Sequence, residues 1–112
     1  MKPLFFLSIL FVLSSCSHSN TQYLANYECE NGMKIAAQYY PDKAELSIDG
    51  LQRELYQTIS ASGAKYETEN GLQPETGLIW WTKGDEATMF ETALDHTATA
   101  DDYAKITVCA EK

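Results

Sequence analysis

The stretch Lys43-Ala44-Glu45-Leu46-Ser47-Ile48-Asp49 alternates polar and apolar side chains without interruption. Successive side chains of a β-strand point to opposite faces of a sheet, so a period of two predicts a strand with one buried face. The stretch runs into Asp49-Gly50, a dipeptide that is typical of tight turns. This segment therefore predicts a half-buried strand that ends in a turn.

Similar turn signals divide the rest of the chain at short intervals. They are Asn31-Gly32, Pro41-Asp42, Ser62-Gly63, Asn70-Gly71 and Lys83-Gly84. The runs between them are rich in Tyr, Ile, Val, Thr and Trp, a composition that favours strands. We predict strands at 23–30, 33–40, 43–49, 51–60, 64–69, 77–83, 86–92 and 103–110.

The pattern is clear in the last predicted strand and ambiguous in the fourth. In 103–110, the polar or aromatic residues Tyr103, Lys105 and Thr107 alternate with Ala104, Ile106, Val108 and Ala110. In 51–60, Leu51, Leu55 and Ile59 would also suit one face of a helix. The density of turns and the neighbouring strands favour a strand there.

About eight short antiparallel strands predict a small closed β-barrel, because closure removes exposed sheet edges. The chain after Cys16 holds 96 residues, enough for one hydrophobic core. We therefore expect an all-β fold with a single domain over 23–112. The segment from Leu94 to Asp102 has no further aliphatic residue larger than alanine and is predicted to be an acidic loop between the last two strands.

The beginning of the chain is typical of an export signal. Lys2 precedes an apolar run from Leu4 to Leu13, which is too short to span a bilayer. Leu13-Ser14-Ser15-Cys16 resembles a bacterial lipobox, so we predict a signal peptide over 1–15 and lipidation of Cys16. The alternative is an ordinary secretory signal that has a cysteine by chance.

A polar stretch over 16–22 is predicted to tether the domain to the membrane within roughly 20 Å of the bilayer, given the reach of an extended chain. Ser17 rather than Asp follows the lipid site, which favours the outer membrane. The predicted location is therefore the cell envelope of a Gram-negative-type bacterium, on the outer membrane and facing the periplasm.

Acidic residues dominate the exported part. Without Lys2, 7 of the 8 basic residues remain against 16 acidic residues, a formal charge of −9. Such a domain is repelled by nucleic acid and by anionic membrane surfaces, and attracted to basic partners. Acidity that serves only solubility is the alternative.

The cysteines divide by position. If Cys16 takes lipid, Cys29 and Cys109 remain in an oxidising compartment, where such a pair is expected to form a disulfide. Two buried free thiols are the alternative. The sequence offers no zinc site, because Cys-x-x-Cys is absent and the histidines, His18 and His96, lie in the tether and the acidic loop.

Two stretches in the middle of the chain carry the functional signal. They are Ser60-Ala61-Ser62-Gly63-Ala64-Lys65-Tyr66 and Trp80-Trp81-Thr82-Lys83-Gly84-Asp85-Glu86-Ala87. Together they resemble the MliC/PliC family of periplasmic and membrane-bound inhibitors of c-type lysozyme, whose pattern is Ser-Gly-x-x-Tyr followed by an aromatic strand ending in Lys-Gly-x-x-Ala. Cys29 and Cys109 also fall where that family places its disulfide. The resemblance implies a β-barrel that inhibits a lysozyme and needs no cofactor.

The resemblance also implies roles for individual residues. Ser62 and Lys83 correspond to the residues that reach the catalytic carboxyl groups of the enzyme. Gly63 and Gly84 would let the chain turn with positive φ at two loop tips. Tyr66 would either brace the first loop or flank the cleft, and these two roles stay open.

The same residues have other interpretations. A serine or lysine before glycine is commonly turn chemistry or a solvated charge. Ser62 and Lys65 also satisfy the Ser-x-x-Lys motif of penicillin-binding enzymes, but the partner motifs of those enzymes are absent. Trp80 and Trp81 are adjacent and so face opposite sides of a strand, one in the core and one outside.

The sequence thus predicts a non-catalytic binding protein. The alternatives are a structural envelope lipoprotein and a module that binds sugar or peptidoglycan through an exposed tryptophan. The oligomeric state, the host of the lysozyme, the selectivity among lysozyme types and the role of the acidic segment 91–102 stay open.

Overall fold

A computed structural model describes residues 23–94 and 103–112. Within these ranges the chain forms eight β-strands. They are β1 (Tyr23–Cys29), β2 (Lys34–Tyr39), β3 (Lys43–Ile48), β4 (Leu51–Thr58), β5 (Ala64–Thr68), β6 (Thr76–Lys83), β7 (Glu86–Ala93) and β8 (Tyr103–Glu111). All eight predicted strands are confirmed, with bounds that agree to within two residues.

The strands form one closed antiparallel barrel in which each strand pairs with the next and β8 pairs with β1. The predicted fold class is therefore confirmed. The ambiguous segment is a strand rather than a helix, and of its three apolar candidates only Leu55 is buried.

The hairpin between β3 and β4 follows the sequence signal closely. Ile48 pairs with Leu51, which leaves Asp49 and Gly50 as a two-residue loop. Both loop residues have positive φ, 49° and 91°, as a type I′ turn requires. The alternation in β3 also holds, since Ala44, Leu46 and Ile48 face the core.

Side chains from all eight strands fill the barrel, and most of them are aliphatic or aromatic. The core consists of Ala25, Tyr27, Cys29, Ile35, Ala37, Ala44, Leu46, Ile48, Leu55, Tyr66, Leu78, Trp80, Ala87, Met89 and Cys109. Trp80 is the largest fully buried side chain, which settles that Trp80 is the core tryptophan and Trp81 faces outward. A barrel of this size has its interior filled by side chains.

A partly buried hydrogen-bond network links the core residues Trp80 and Tyr27 through Tyr39, which packs against the core. The indole N–H of Trp80 donates to the Tyr39 hydroxyl at 2.8 Å, and the Tyr27 and Tyr39 hydroxyls are 2.7 Å apart. Burial raises the pKa of Tyr39 far above its ordinary value, and the hydrogen bond to Tyr27 raises it further. The polar atoms of Trp80, Tyr39 and Tyr27 are thus paired with one another, as is usual for buried polar groups.

The burial pattern of β8 differs from what its alternation suggests. The side chains of Thr107 and Cys109 face the interior, whereas Ile106 and Val108 are only partly buried. Cys109 must face inward because its partner, Cys29, is itself buried. Thr107 is tolerated there since its hydroxyl accepts a hydrogen bond from the backbone N–H of Asn31 at 3.2 Å.

The predicted disulfide between Cys29 and Cys109 is confirmed. The two residues are register partners across β1 and β8, the strand pair that closes the barrel. The bond therefore joins the two ends of the sheet. It spans 80 positions of sequence, a loop length for which the chain-entropy model gives about 4–5 kcal/mol.

Several predictions fall outside the described residues. They are the signal peptide over 1–15, lipidation of Cys16, the tether, the two histidines and the acidic loop beyond Leu94. No helix in 23–94 or 103–112 is long and apolar enough to cross a membrane.

Candidate inhibitory site

The two sequence motifs meet at one end of the barrel. Ser62 lies in the loop of residues 59–63 between β4 and β5, and Lys83 ends β6. These positions are neighbours because β5 and β6 pair with Ala64 opposite Thr82. Two loops that are about twenty residues apart in sequence therefore form a single surface, which we call the candidate inhibitory site.

The Ser62 loop holds its backbone by hydrogen bonds and leaves the Ser62 side chain in solvent. The Ser60 hydroxyl donates to the Ser62 carbonyl at 2.6 Å, and the Ser62 N–H donates back to the Ser60 oxygen at 3.3 Å. The indole N–H of Trp81 donates to the same carbonyl at 2.9 Å. Among the described residues, the Ser62 hydroxyl itself has no hydrogen-bond partner. Its donor and acceptor capacity is therefore available to a ligand.

Lys83 stands at the start of a tight hairpin. It pairs with Glu86, so Gly84 and Asp85 form a two-residue loop. Gly84 has φ 62°, the conformation that a type II′ turn requires at its first central position. Lys83 is exposed and forms no salt bridge with any residue in the described ranges. The positive charge of its ammonium group is therefore not neutralised by a carboxylate within the described ranges.

Gly63 brings the two loops into direct contact. Its φ is 68°, and a Cβ at this position would lie 2.1 Å from the Thr82 carbonyl oxygen and 2.8 Å from Cγ of Lys83. A side chain at position 63 would thus collide with the strand end that carries Lys83. Glycine is required there for both its conformation and its lack of volume.

Tyr66 packs inside the barrel rather than on its surface. Only 6% of the residue is exposed, and its ring lies 5.7 Å from that of Tyr39. Burial raises the pKa of its phenol. Of the two roles left open by the sequence, this placement favours bracing the first loop from within.

Trp81 lies between the two loops, on the outer face of the barrel. Lys65 is its register partner in β5, and Lys83 is two residues further along β6. The ammonium groups of these lysines lie 5.0 Å and 5.4 Å from the indole, at the distance of cation–π contacts. Lys65 is also within 3.6 Å of Glu67, so the two lysines differ in that only Lys65 has a carboxylate partner among the described residues.

Comparison with known proteins assigns the chain to a family. The family model for "Membrane-bound lysozyme-inhibitor of c-type lysozyme", MliC, matches residues 27–98, more than half of the chain and the part that holds both loops. This chain belongs to the MliC family. The resemblance inferred from the two motifs is thereby confirmed.

Two curated relatives carry the name "Membrane-bound lysozyme inhibitor of C-type lysozyme". The protein from Pseudomonas aeruginosa is 39% identical over 71 residues, which cover 58% of this chain and 50% of that protein. The protein from Cupriavidus necator is 39% identical over 67 residues, which cover 56% of this chain and 48% of that protein. The present MliC chain thus spans about half the length of the curated relatives it matches.

The barrel also matches a solved structure, the crystal structure of Pseudomonas aeruginosa MliC in complex with hen egg white lysozyme. The TM-score is 0.52 at 24% identity, and the match covers 94% of this chain and 97% of the other. At this level of identity the likeness establishes a shared fold.

The sequence motifs identify the loop residues but not the part that Trp81 plays between them. A signal was present, because residues two apart on a strand share a face, and Trp81 and Lys83 are two apart. The sequence shows that Trp80 and Trp81 face opposite sides of the strand, but it does not show which of the two is buried. Trp81 can be assigned to the outer face only once Trp80 is known to be buried.

The Ser-x-x-Lys motif of this MliC chain is not built as an acyl-transfer site. Ser62 lies in a loop between strands, and the Lys65 side chain is directed to Trp81 and Glu67. Within 23–94 and 103–112, no cluster of three or more His, Cys, Asp or Glu residues could hold a metal ion.

Proposed function

We propose that this chain inhibits c-type lysozyme by presenting Lys83 and Ser62 to the two catalytic carboxyl groups of the enzyme. Membership of the MliC family supports the target, since the family and both curated relatives are named as inhibitors of c-type lysozyme. In the solved MliC complex, the barrel is bound to hen egg white lysozyme. A protein with this role acts by binding and has no catalytic residues of its own.

The chemistry of the target explains why these two side chains suit it. Lysozyme uses one carboxyl group that is protonated in an apolar pocket and a second that is ionised. A plug that excludes water from the cleft must satisfy both groups. An ammonium group pairs with the ionised carboxylate, and a hydroxyl can donate to one carboxyl group and accept from the other.

The observation that carries the proposal is the availability of these two groups at adjacent loop tips. The Lys83 ammonium forms no salt bridge and the Ser62 hydroxyl forms no hydrogen bond within the described parts of the chain. The backbones that carry them are nevertheless fixed by hydrogen bonds and by the contact at Gly63. Fixed backbones with free functional groups reduce the entropy that binding must overcome.

The charge of the chain favours the encounter. With a formal charge of −9 after Cys16, the domain attracts a basic enzyme over distances longer than the contact itself. Lys83, which has no carboxylate partner among the described residues, is the positive group that the site offers to the negative groups of a cleft. The association rate should therefore fall as salt increases.

We further propose that lipidation of Cys16 anchors the inhibitor to the outer membrane, facing the periplasm. The lipobox and the polar stretch over 16–22 support this, and the relatives are named membrane-bound. Several acyl chains make such anchoring stable, since each buried methylene contributes about 0.8 kcal/mol. There the inhibitor would protect peptidoglycan from lysozyme that crosses the outer membrane.

A cell-wall clearing assay tests the proposal. Hen egg white lysozyme is titrated with the purified chain in mild detergent, and the lysis of bacterial walls is followed by turbidity. Inhibition that saturates near one inhibitor per enzyme supports the proposal. Full lysozyme activity in the presence of excess folded, disulfide-bonded chain would contradict the proposal. A structural lipoprotein or a sugar-binding module would then be the better interpretation.

A further inference from the structure

We propose that Trp81 is a positioning residue that holds the Ser62 loop and the Lys83 turn in one arrangement before the target binds. This inference rests on the proposed function, because it concerns how the candidate inhibitory site is prepared for a cleft. It assigns to Trp81 a role that the two binding side chains do not supply themselves.

Trp81 contacts both loops with different parts of one side chain. Its indole N–H donates to the carbonyl oxygen of Ser62 at 2.9 Å, which fixes the backbone of the first loop. Its aromatic ring lies 5.4 Å from the ammonium group of Lys83, which favours a side-chain conformation close to the ring. No other described residue combines a hydrogen bond to the first loop with a cation–π contact to Lys83.

Two neighbours on the outer face of the barrel, Phe90 and Lys65, contact the indole ring of Trp81. Phe90 lies with its ring centroid 6.4 Å away, tilted by 60°. Lys65 occupies the register position opposite Trp81 and places a second ammonium group 5.0 Å from the indole. These contacts restrict the conformations of the Trp81 side chain, so that its positions relative to Ser62 and Lys83 are better defined than those of a side chain surrounded by solvent.

The arrangement has a consequence for Lys83. A free lysine loses much of its rotamer freedom when it enters a cleft, and this loss weakens binding. A lysine already confined against an aromatic ring loses less. Trp81 therefore improves affinity through Lys83 and Ser62 even where it does not contact the enzyme.

The test combines an affinity measurement with a double-mutant cycle. The dissociation constant for hen egg white lysozyme is measured for the full chain and for Trp81→Ala, Lys83→Ala and the double variant. Trp81→Ala should weaken binding about tenfold, which is the scale of ordering one long side chain and one loop. In the Lys83→Ala background the same change should cost threefold or less, because only the hold of Trp81 on the Ser62 loop is then left to lose.

Trp81→Phe separates the two contacts. It keeps an aromatic ring for Lys83 and removes the N–H that holds Ser62, so its loss of affinity should be smaller than that of Trp81→Ala. If Trp81→Ala fails to fold, Trp81→Phe decides alone: weaker binding than the wild type supports the hold on the Ser62 loop, and wild-type affinity would overturn it. Wild-type affinity in both variants, or losses for Trp81→Ala and Lys83→Ala that add in full, would overturn the inference.

A measurement without lysozyme separates this inference from the proposed function. In the wild-type chain, the methylene protons next to the Lys83 ammonium should show an upfield ring-current shift by NMR. That shift should disappear in Trp81→Ala and persist in Trp81→Phe. A chain that shows the shift but does not bind lysozyme would overturn the function and keep the positioning geometry. A wild-type chain without the shift would overturn the positioning role.

A separate observation supports a second inference, that Ile59 makes an apolar contact with the inhibited enzyme at the rim of the same site. Ile59 directly follows β4 and is 98% exposed, whereas the other exposed large apolar residues within 23–94 and 103–112 reach 63% at most. It lies three residues before Ser62, on the same loop. The negative charge of the chain disfavours a second copy or an anionic membrane as its partner and leaves a basic protein.

The test is the affinity of Ile59→Ser for hen egg white lysozyme, with Leu51→Ser as the matched control. Leu51 is 42% exposed at the other end of the same strand, roughly 25 Å away at the rise of a β-strand. Ile59→Ser should weaken binding about tenfold, the scale of burying one such side chain, and Leu51→Ser should change it little. Equal affinities for Ile59→Ser and a binding-competent wild type would overturn this inference and leave the proposed function intact.

Discussion

Gly63 and Thr82 touch without a side chain between them. A Cβ built on Gly63 would lie 2.1 Å from the carbonyl oxygen of Thr82, a separation that real Cβ atoms do not adopt. This contact sets the distance between the Ser62 loop and the strand end that carries Lys83. The geometry of the candidate inhibitory site therefore depends on the absence of a Cβ at position 63.

Gly63→Ala should accordingly destabilise the fold and displace the first loop. We expect a loss of about 2–4 kcal/mol in the free energy of unfolding, from positive φ together with the collision. Gly84→Ala is the matched control, since Gly84 has a similar φ of 62° but no atom within 4 Å of its Cβ position. That variant should lose only about 1–2 kcal/mol, the cost of the backbone conformation. Denaturant unfolding measures both, and equal losses would show that the contact at Gly63 is unimportant.

The disulfide should account for a large share of the stability. A chain in which Cys29 and Cys109 are both replaced by serine should lose about 4 kcal/mol, because the bond closes a long loop and joins the strands that close the barrel. Urea unfolding with and without a reducing agent gives the same comparison in the natural chain. A transition midpoint that does not move on reduction would contradict this prediction.

The hydroxyl of Tyr39 should contribute more to folding stability than the exposed hydroxyl of another tyrosine. Tyr39→Phe leaves the buried indole N–H of Trp80 without its acceptor, which should cost about 1–3 kcal/mol. Tyr56→Phe removes a hydroxyl that bonds to Glu54 at the surface and should cost less than about 0.5 kcal/mol. Thermal unfolding of the two variants checks the order, and a larger loss for Tyr56→Phe would contradict it.

Stability should fall in alkaline solution. Burial raises the pKa of Tyr27, Tyr39 and Tyr66 above the ordinary value of 10.0, so the folded chain keeps these protons after the unfolded chain has lost them. Their contribution to stability is complete below pH of about 10 and declines as the pH rises through the folded pKa values. Tyrosinate absorbance should show these phenols ionising only as the chain unfolds. Complete ionisation of all tyrosines near pH 10 in a folded chain would contradict this.

The sequence sufficed for the fold because its signals are local and agree with one another. The alternation around Leu46 and the turn at Asp49-Gly50 determine a hairpin, and repeated turns of this kind lead to a closed barrel. In β8 the pattern was misleading. Thr107 faces inward because the disulfide fixes Cys109 there, and strand periodicity does not contain that constraint.

The candidate site was predictable in part for a similar reason. Ser62 and Lys83 stood out through the family motif, and the register of β5 and β6 brings them together. The parts played by Trp81 and Tyr66 depend on which strand face is inside, and that follows from closure of the whole barrel. Sequence neighbours alone do not determine it.

The most direct test of the account is the affinity of Lys83→Ala for hen egg white lysozyme, measured beside Ser62→Ala and the wild-type chain. Lys83→Ala should cost about 2–5 kcal/mol, since it leaves a carboxylate of the cleft desolvated and unpaired. Ser62→Ala should cost about 1–3 kcal/mol, the loss of a hydrogen bond to a charged group. A folded Lys83→Ala variant that binds and inhibits as tightly as the wild type would contradict the proposed mechanism.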